Sequence, residues 1–210
     1  MNNVKLRKKP RQARSLERFE TILNHAEALI REQGFESLKM NELARRADVN
    51  IASIYQYFPN RTVVARAIVE RYLVLYRKEL TQKLADIPLA IESPSIENIG
   101  QILEDLLAHY YRFLQQHPTF LLVWGVVRGN PDFMKLNMHD SRNNAELIVN
   151  VLLDMGVNVE PEALRLAAFL VCEITEPVMQ ALLNSEEVFA EKLLVQYNLM
   201  LKSYFQVLIK

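Results

Sequence analysis

Residues 40–60, MNELARRADVNIASIYQYFPN, decide the fold, because they encode two short helices separated by a tight turn. The pattern predicts one helix over Met40–Ala47, a turn at Asp48-Val49-Asn50, and a second helix over Ile51–Phe58 that Pro59 ends. Neither helix is long enough to be stable alone. We expect such a pair where the second helix must protrude and present its outer face to a partner.

The two short helices have an apolar inner face and a mixed outer face. Ala44 permits the close approach that their crossing requires. The side chains predicted to face inward are Leu43, Val49, Ile54 and Phe58. Those predicted to face outward are Ile51, Ala52, Ser53, Gln56 and Tyr57. Small, polar and aromatic groups together suit a helix that enters the major groove of DNA.

An amphipathic helix precedes this pair, and a long helix follows it. Ser15 is the predicted N-cap of the first helix, and Gly34 is predicted to end it in a left-handed conformation. Its apolar stripe is formed by Leu16, Phe19, Leu23, Ala26 and Ile30. Asn60 is predicted to cap a helix that runs to about Lys83. At 1.5 Å per residue that helix spans on the order of 35 Å, enough to link two layers.

The rest of the chain is also predicted to be helical, and no alternation typical of strands persists. Further helices fit residues 96–116, 119–128, 132–155, 161–184 and 186–208, after a connection over 86–95. We therefore predict an all-α protein: a basic arm (1–14), an N-terminal three-helix part that contains the helix-turn-helix (15–61), and a larger helical part (62–210).

The charge is divided along the chain. Residues 1–85 hold 17 Lys and Arg against 9 Asp and Glu, whereas residues 86–210 hold 8 against 16. This asymmetry indicates that only the N-terminal part meets a polyanion. The single cysteine, the absence of a secretory signal and the absence of an apolar run near 20 residues predict a cytoplasmic protein with no membrane partner.

The spacing of residues 34–61 matches a known signature. It consists of Gly34-Phe35, then Met40-x-x-Leu43-Ala44-x-x-Ala47-x-Val49-Asn50, then Ser53-Ile54-Tyr55-x-Tyr57-Phe58-Pro59-Asn60-Arg61. Over about residues 15–65 the chain thus resembles the tetracycline-repressor (TetR) family of transcriptional regulators. The resemblance implies nine or ten helices, with an N-terminal three-helix helix-turn-helix DNA-binding domain (15–61) and a larger helical ligand-binding and dimerisation domain (62–210). It also implies a dimer built on the last two long helices and a small-molecule pocket in the C-terminal domain.

The resemblance also implies which residues contact DNA. Tyr57 and Arg61 would bind phosphates, and Tyr55 would lie beside the backbone, although Tyr55 equally suits the core. The positions that would face bases, with the turn residue before them, are Asn50, Ile51, Ala52, Ser53 and Gln56. Phosphate contacts set the register of a protein on DNA, and contacts to base edges read the sequence.

Three residues depart from the family pattern. Asp48 replaces the usual glycine in the turn, and we expect the turn to survive because Asp tolerates left-handed geometry. Lys39 replaces a small hydroxyl residue, which removes a cap but adds a cation near the DNA backbone. Ile51 replaces a basic or polar residue and predicts apolar contact, for example with a thymine methyl group.

The last two predicted helices suit a homodimer. Residues 161–184 are apolar nearly all round, and such a helix must be covered on most sides. Residues 186–208 carry one predicted stripe, formed by Phe189, Leu193, Tyr197, Met200, Tyr204 and Leu208. Together these helices could pack against their own copy across a two-fold axis, or complete a monomeric core.

Aromatic side chains and two carboxylates mark the predicted ligand site. The aromatic candidates are Tyr110, Phe113, Phe120 and Trp124. Glu173 and Glu176 interrupt an apolar helix, and buried carboxylates need partners. These could be a cationic ligand group or an internal residue, of which Arg128 and Arg142 are the leading candidates. We expect a small apolar or amphipathic ligand, with no metal and no other cofactor.

These features predict a dimeric repressor that binds a palindromic double-stranded DNA operator and is released by a small molecule. One alternative is a carrier of lipids or hydrophobic metabolites that keeps this fold without binding DNA. The basic arm, Tyr57 and Arg61 argue against a carrier. The other alternative is a helical enzyme, and the sequence shows no catalytic constellation that would support it.

Overall fold

The computed structural model describes residues 12–87 and 95–209, and within these ranges every regular element is helical. The α-helices are α1 (Ala13–Gln33), α2 (Met40–Arg46), α3 (Ile51–Tyr57), α4 (Arg61–Ala85), α5 (Ile96–Gln116), α6 (Pro118–Val127), α7 (Pro131–Asp154), α8 (Pro161–Leu183) and α9 (Glu187–Leu208). The all-α prediction is confirmed, and the predicted helix bounds are met within two residues except at the start of α1, which lies three residues earlier than predicted. Residues 1–11 of the predicted basic arm lie outside the described residues.

The N-terminal helix ends differ from their predictions in two details. Helix α1 begins at Ala13 with Gln12 as its N-cap, so Ser15 lies inside the first turn and does not cap the helix. Gly34 ends α1 at φ 80° and ψ 168°, which is a positive φ but not the left-handed helical conformation. The chain continues there into a short 3-10 turn over Phe35–Ser37, which the sequence patterns did not predict.

The turn at Asp48 and the cap at Asn60 are as predicted, and Asn50 provides a cap that was not predicted. Asp48 adopts φ 49°, the left-handed region that its short polar side chain tolerates. Asn50 caps α3, since its side-chain Oδ1 accepts a hydrogen bond from the Ala52 amide at 2.8 Å. Asn60 caps α4 in the same way, accepting from the Val63 amide at 3.0 Å. These caps satisfy amides that the first turns leave without helical partners.

The chain forms two compact units. The first unit combines Met1–Val74, as far as it is described, with His117–Lys135, and the second combines Leu75–Gln116 with Leu136–Lys210. In the first unit, α1 packs against α2, and α6 packs against both α1 and the 3-10 turn. The predicted inward residues Leu43, Ile54 and Phe58 are fully buried there, which confirms these three, whereas Val49 is half-buried.

The second unit is built around α9, which packs against α5 and α8. A hydrogen bond of 2.7 Å between the Thr175 and Tyr197 hydroxyls joins α8 to α9. By length and composition α8 is apolar enough to cross a membrane, whereas the sequence patterns predicted no such segment. Among the described residues it is the only helix that meets this criterion. A helix packed inside a protein core passes the same test, and α8 packs on α9 here.

Candidate nucleic-acid interface

Helix α3 presents a small exposed face on the first unit. Ala52, Tyr55 and Gln56 are exposed, and Tyr55 retains 40% of its accessible surface. Ile51 and Ser53 flank this face and are half-buried. Because residues three and four apart share one side of a helix, Ala52, Tyr55 and Gln56 form one continuous surface. The structure therefore places Tyr55 outside, and the prediction that it could be a core aromatic is wrong.

Tyr57 lies on the opposite face, and the prediction that it faces outward is wrong. Its side chain is only 5% exposed, and its ring meets the Phe19 ring edge-on with centroids 5.7 Å apart. Its hydroxyl lies 2.9 Å from the Ser15 Oγ. The physical reason is helical spacing: Tyr57 follows the buried Ile54 by three residues, and the first turn of α1 supplies a polar partner for its hydroxyl.

Arg61 is held beside the 3-10 turn. Its guanidinium Nη2 donates to the Glu36 carboxylate at 2.9 Å and lies over the Phe35 ring, 4.9 Å from the centroid. This side chain is 40% exposed and Glu36 is 84% exposed, so the pair is open to water and contributes little stability. Such a weak pair leaves Arg61 able to exchange Glu36 for a phosphate. Lys39 is exposed at the N-cap of α2.

Two arginines near the end of α2 were not among the predicted DNA contacts. Arg45 donates from Nε and Nη2 to the Glu42 carboxylate at 2.9 and 2.7 Å, and Arg46 bonds both Glu42 and Glu32. These hydrogen bonds lower the pKa of Glu42 to about 2, so the carboxylate stays ionised. Arg45 is 73% exposed and adds a cation to the surface of the helix pair. The adjacent Arg45 and Arg46 were a sequence signal for this patch.

The aromatic residues predicted to bind a ligand fall in both units. Tyr110 and Phe113 belong to the second unit, where the Tyr76 ring contacts both at a tilt of 58°, with centroids 4.8 and 5.1 Å away. Phe120 and Trp124 belong to the first unit and are 2% and 5% exposed. There Phe120 contacts Trp124, with centroids 5.3 Å apart. Trp124 also meets the Phe133 ring edge-on, which makes it a core residue of this unit.

The two carboxylates of α8 have partners other than the predicted arginines. Glu173 accepts a hydrogen bond from the Asn137 amide at 3.3 Å, and Glu176 accepts one from Gln180. The guanidinium of Arg142 instead lies over the Phe169 ring, 5.8 Å from its centroid. Asn137 was overlooked because nothing in the sequence signals which residue of α7 faces α8.

Cys172 lies beside these carboxylates within the second unit. Burial, followed by the charge of Glu173, raises the pKa of its thiol to about 12. A thiol reacts through its thiolate, so the raised pKa protects this half-buried cysteine chemically.

We therefore expect Cys172 to resist iodoacetamide in the folded protein. At pH 8 the native chain should be alkylated at least about tenfold more slowly than the same chain in urea, where the thiol regains its ordinary pKa. Intact mass measured over time reports the single adduct. Equal rates in the two conditions would show that the thiol is accessible and ionised.

An exposed apolar surface covers parts of α8 and α9. On α8 it includes Leu166, Leu170 and Ile174, at spacings of four residues that place them on one side. On α9 the exposed apolar residues are Val188, Phe189, Leu194, Val195, Leu199, Met200, Tyr204 and Val207. The predicted single stripe of α9 is wrong, because Tyr197 is buried against α8 while Phe189, Met200 and Tyr204 are exposed.

The short helix pair, its capped turn and its exposed second helix define the helix-turn-helix class of proteins. Residues 22–68 match the family described as bacterial regulatory proteins, tetR family. Residues 99–205, about half of the chain, match the tetracyclin repressor-like C-terminal domain. The chain belongs to the TetR family, which confirms the resemblance predicted from residues 34–61.

Individual relatives are distant. The chain is 28% identical to the HTH-type transcriptional repressor NemR of Escherichia coli (strain K12) over 97 residues, which are 46% of this chain and 43% of that one. It therefore spans less than half of the length of that relative. An uncharacterised HTH-type transcriptional regulator of Xanthobacter autotrophicus is 24% identical over 157 residues, 75% of each chain.

Solved structures share the fold. A TetR-family regulator from Pectobacterium atrosepticum superposes with a TM-score of 0.64 at 18% identity, covering 95% of this chain and 97% of that chain. SmeT, the repressor of the Stenotrophomonas maltophilia multidrug efflux pump SmeDEF, gives a TM-score of 0.57 at 19% identity over 87% and 88% of the two chains.

Proposed function

We propose that this protein is a cytoplasmic transcriptional repressor that binds a palindromic DNA operator as a homodimer and is released by a small molecule. The observation that carries the proposal is the exposed face of α3, formed by Ala52, Tyr55 and Gln56 over the buried Ile54 and Tyr57. A rigid helix with a small, mixed outer face is the element that reads bases in the major groove.

Each polar group of this region has a proposed role. Gln56 contacts a base edge. Ala52, with the flanking Ile51 and Ser53, allows α3 to approach the floor of the groove closely. Tyr55 and Arg61 contact phosphates, with Lys39 and Asn50 at the starts of α2 and α3. Tyr57 acts indirectly, because its hydrogen bond to Ser15 fixes the end of α3 against α1.

The exposed apolar surface of α8 and α9 supports the proposed homodimer. Apolar patches of this kind on a folded chain mark interaction sites. In a dimer with a two-fold axis through this surface, the same patch of each copy would pack against the other. The two copies of α3 would then bind two DNA half-sites about one helical turn apart. The domain division into 15–61 and 62–210, with a basic arm before it, remains part of this proposal.

Substitutions on the exposed and the buried side of α3 should distinguish effects on DNA binding from effects on stability. We expect Tyr55→Ala to weaken binding to the DNA immediately upstream of the protein's own gene about tenfold, because one phosphate contact is lost. Gln56→Ala should also reduce discrimination between sequences, by about 1–3 kcal/mol at one base pair. Fluorescence anisotropy with labelled DNA measures both.

Two variants serve as controls for this experiment. Gln115→Ala alters an exposed glutamine of α5 and should leave DNA binding unchanged. Tyr57→Phe removes a hydroxyl from the inner face, so it should lower the free energy of unfolding by about 1 kcal/mol with a smaller effect on DNA binding than Tyr55→Ala. A protein that bound apolar ligands but no DNA at any tested salt concentration would support the carrier alternative.

A further inference from the structure

Two arginines of the first unit, one on each side of α3 in the chain, are each held by a glutamate. Arg61 donates from Nη2 to the Glu36 carboxylate at 2.9 Å and from Nη1 to the Glu36 carbonyl at 3.4 Å. Arg45 donates from Nε and Nη2 to the two carboxylate oxygens of Glu42, at 2.9 and 2.7 Å. A guanidinium binds a phosphate through the same nitrogens that it offers to a carboxylate. Each glutamate therefore occupies the donors that a DNA phosphate would use.

Arg45 lies at the point where α2 leads into α3. Its backbone carbonyl accepts a hydrogen bond from the Asp48 amide at 3.4 Å, so it borders the turn between the two helices. When the second helix of such a pair occupies the major groove, the first helix crosses the DNA backbone. Arg45 is exposed on α2, and its long side chain can therefore reach a phosphate once Glu42 releases it.

The segment that contains the helix pair carries little net positive charge. Residues 35–61 contain four Lys and Arg against three Asp and Glu. Residues 1–14, by contrast, contain six Lys and Arg and no acidic residue. Sequence-independent binding to DNA depends on neutralisation of phosphates by Lys and Arg. Glu36 and Glu42 therefore counter two of the four cations that this segment could offer to DNA.

Both glutamates can release their arginine without being left buried and unpaired. Glu42 also accepts a hydrogen bond from Nε of the half-buried Arg46 at 3.2 Å, so it keeps a cationic partner when Arg45 leaves. Glu36 is exposed and is solvated by water when Arg61 leaves. Exposed ion pairs are weak, because water screens them and because ordering two long side chains costs entropy. A phosphate can therefore displace either carboxylate, but only against its attraction for the arginine.

We propose that Glu36 and Glu42 compete with DNA phosphates for Arg61 and Arg45, and that they thereby weaken binding to DNA of every sequence. The inference rests on the proposed function, because it names residues that set the affinity of the same DNA interface. Contacts to phosphates carry no direct sequence information, so the competition acts alike on an operator and on unrelated DNA. Limiting the affinity in this way suits a repressor whose ligand changes operator binding only about 5- to 150-fold.

Neutralising either glutamate should strengthen DNA binding. We expect Glu36→Gln and Glu42→Gln each to raise the affinity for a short labelled duplex of random sequence about fivefold at low salt. The slope of log affinity against log salt should become steeper by up to about one, because the freed arginine neutralises one more phosphate. Fluorescence anisotropy measures both quantities, and circular dichroism checks the fold. Unchanged or weaker binding by both variants would overturn the inference.

Glu146→Gln is the matched control, because it makes the same change in net charge. Glu146 on α7 pairs with Arg165 on α8 at 3.1 Å, and Arg165 is 41% exposed, close to the 40% of Arg61. This pair belongs to the second unit, which contains no part of the helix pair. Glu146→Gln should therefore leave DNA affinity unchanged. An equal gain in this variant would show that net charge explains the effect, and the inference would be wrong.

A double-mutant cycle distinguishes competition for Arg61 from direct repulsion between Glu36 and DNA. In an Arg61→Ala background Glu36 has no arginine to hold, so Glu36→Gln should raise the affinity by less than about twofold. A gain of about fivefold in that background would mean that the two effects are additive. Glu36 would then act by repulsion alone, and the proposed competition would be overturned.

The two proposals can fail separately, because the same variants are also titrated onto the DNA upstream of the protein's own gene. If the wild-type protein prefers this DNA but the glutamine variants bind neither duplex more tightly, the competition is wrong and the repressor proposal stands. If the glutamine variants bind the random duplex more tightly but no protein prefers the upstream DNA, the competition stands and the repressor proposal is wrong.

Discussion

A single Leu170→Asp substitution should convert the protein from a dimer into a monomer. Leu170 is 49% exposed on α8 and lies between Leu166 and Ile174 in the exposed apolar stripe. In a two-fold interface each substitution occurs twice, and a buried carboxylate without a partner costs several kcal/mol. The dissociation constant of the dimer should therefore rise by more than about 1000-fold.

The loss of the dimer should also weaken binding to DNA. In a dimer, binding of one α3 to its half-site holds the second α3 at a high effective concentration beside the other half-site. A monomer lacks this advantage. We expect operator affinity to fall by about 100-fold or more. Light scattering after size-exclusion chromatography gives the mass, and anisotropy gives the affinity.

The chain offers a closely matched control. Leu122 on α6 is also a leucine with 49% exposure, but it lies outside α8 and α9. Leu122→Asp should leave the protein dimeric and bound to DNA. If Leu170→Asp remained dimeric, the dimer would use a different surface from the one proposed.

The second large effect is expected at Glu27, which joins α1 to α4 within the first unit. Its carboxylate accepts hydrogen bonds from the Arg71 guanidinium and the Tyr72 hydroxyl. Arg71 also bonds Asn24 at 2.7 Å and Glu20 at 3.3 Å. The side chains of Arg71 and Glu27 are 26% and 19% exposed, so water screens their pairing only in part.

Glu27→Ala removes the shared acceptor and leaves a partly buried cation and phenol without it. We expect the free energy of unfolding to fall by about 2–3 kcal/mol, a value below that of fully buried pairs because some water reaches the site. Urea unfolding followed by circular dichroism provides the measurement.

Glu17→Ala is the control for Glu27→Ala, since Glu17 lies on the same helix and is exposed. It should change the free energy of unfolding by less than about 0.5 kcal/mol. Equal destabilisation by the two substitutions would show that helix propensity, and not the pairing across helices, accounts for the effect.

The sequence was sufficient to predict the features that depend on residues close together in the chain. Helical periodicity and capping residues such as Asn60 predicted the helices within two residues, apart from the start of α1. Asp48 adopts the left-handed turn that its side chain permits. These features are local, so residues a few positions apart determine them. The spacing of residues 34–61 was likewise enough to predict the family.

What the sequence could not supply depends on contacts between distant residues. Tyr55 and Tyr57 are two residues apart and chemically alike, and only the packing of Phe19 and Ser15 decides which one is buried. Trp124 was grouped with Tyr110 by proximity in sequence, yet it packs in the first unit against Phe133.

The composition of the first unit has a consequence for building chimeric regulators. Helix α6 packs on α1 although about 85 residues separate them in the chain, and Tyr72 bonds Glu27 of α1 while its ring contacts Phe120 of α6. A graft that transferred only residues 15–61 would remove the contacts that α6 and Tyr72 make with α1. Exchanging operator specificity between two such proteins should therefore succeed more readily when a few surface residues of α3 are transplanted than when whole N-terminal segments are.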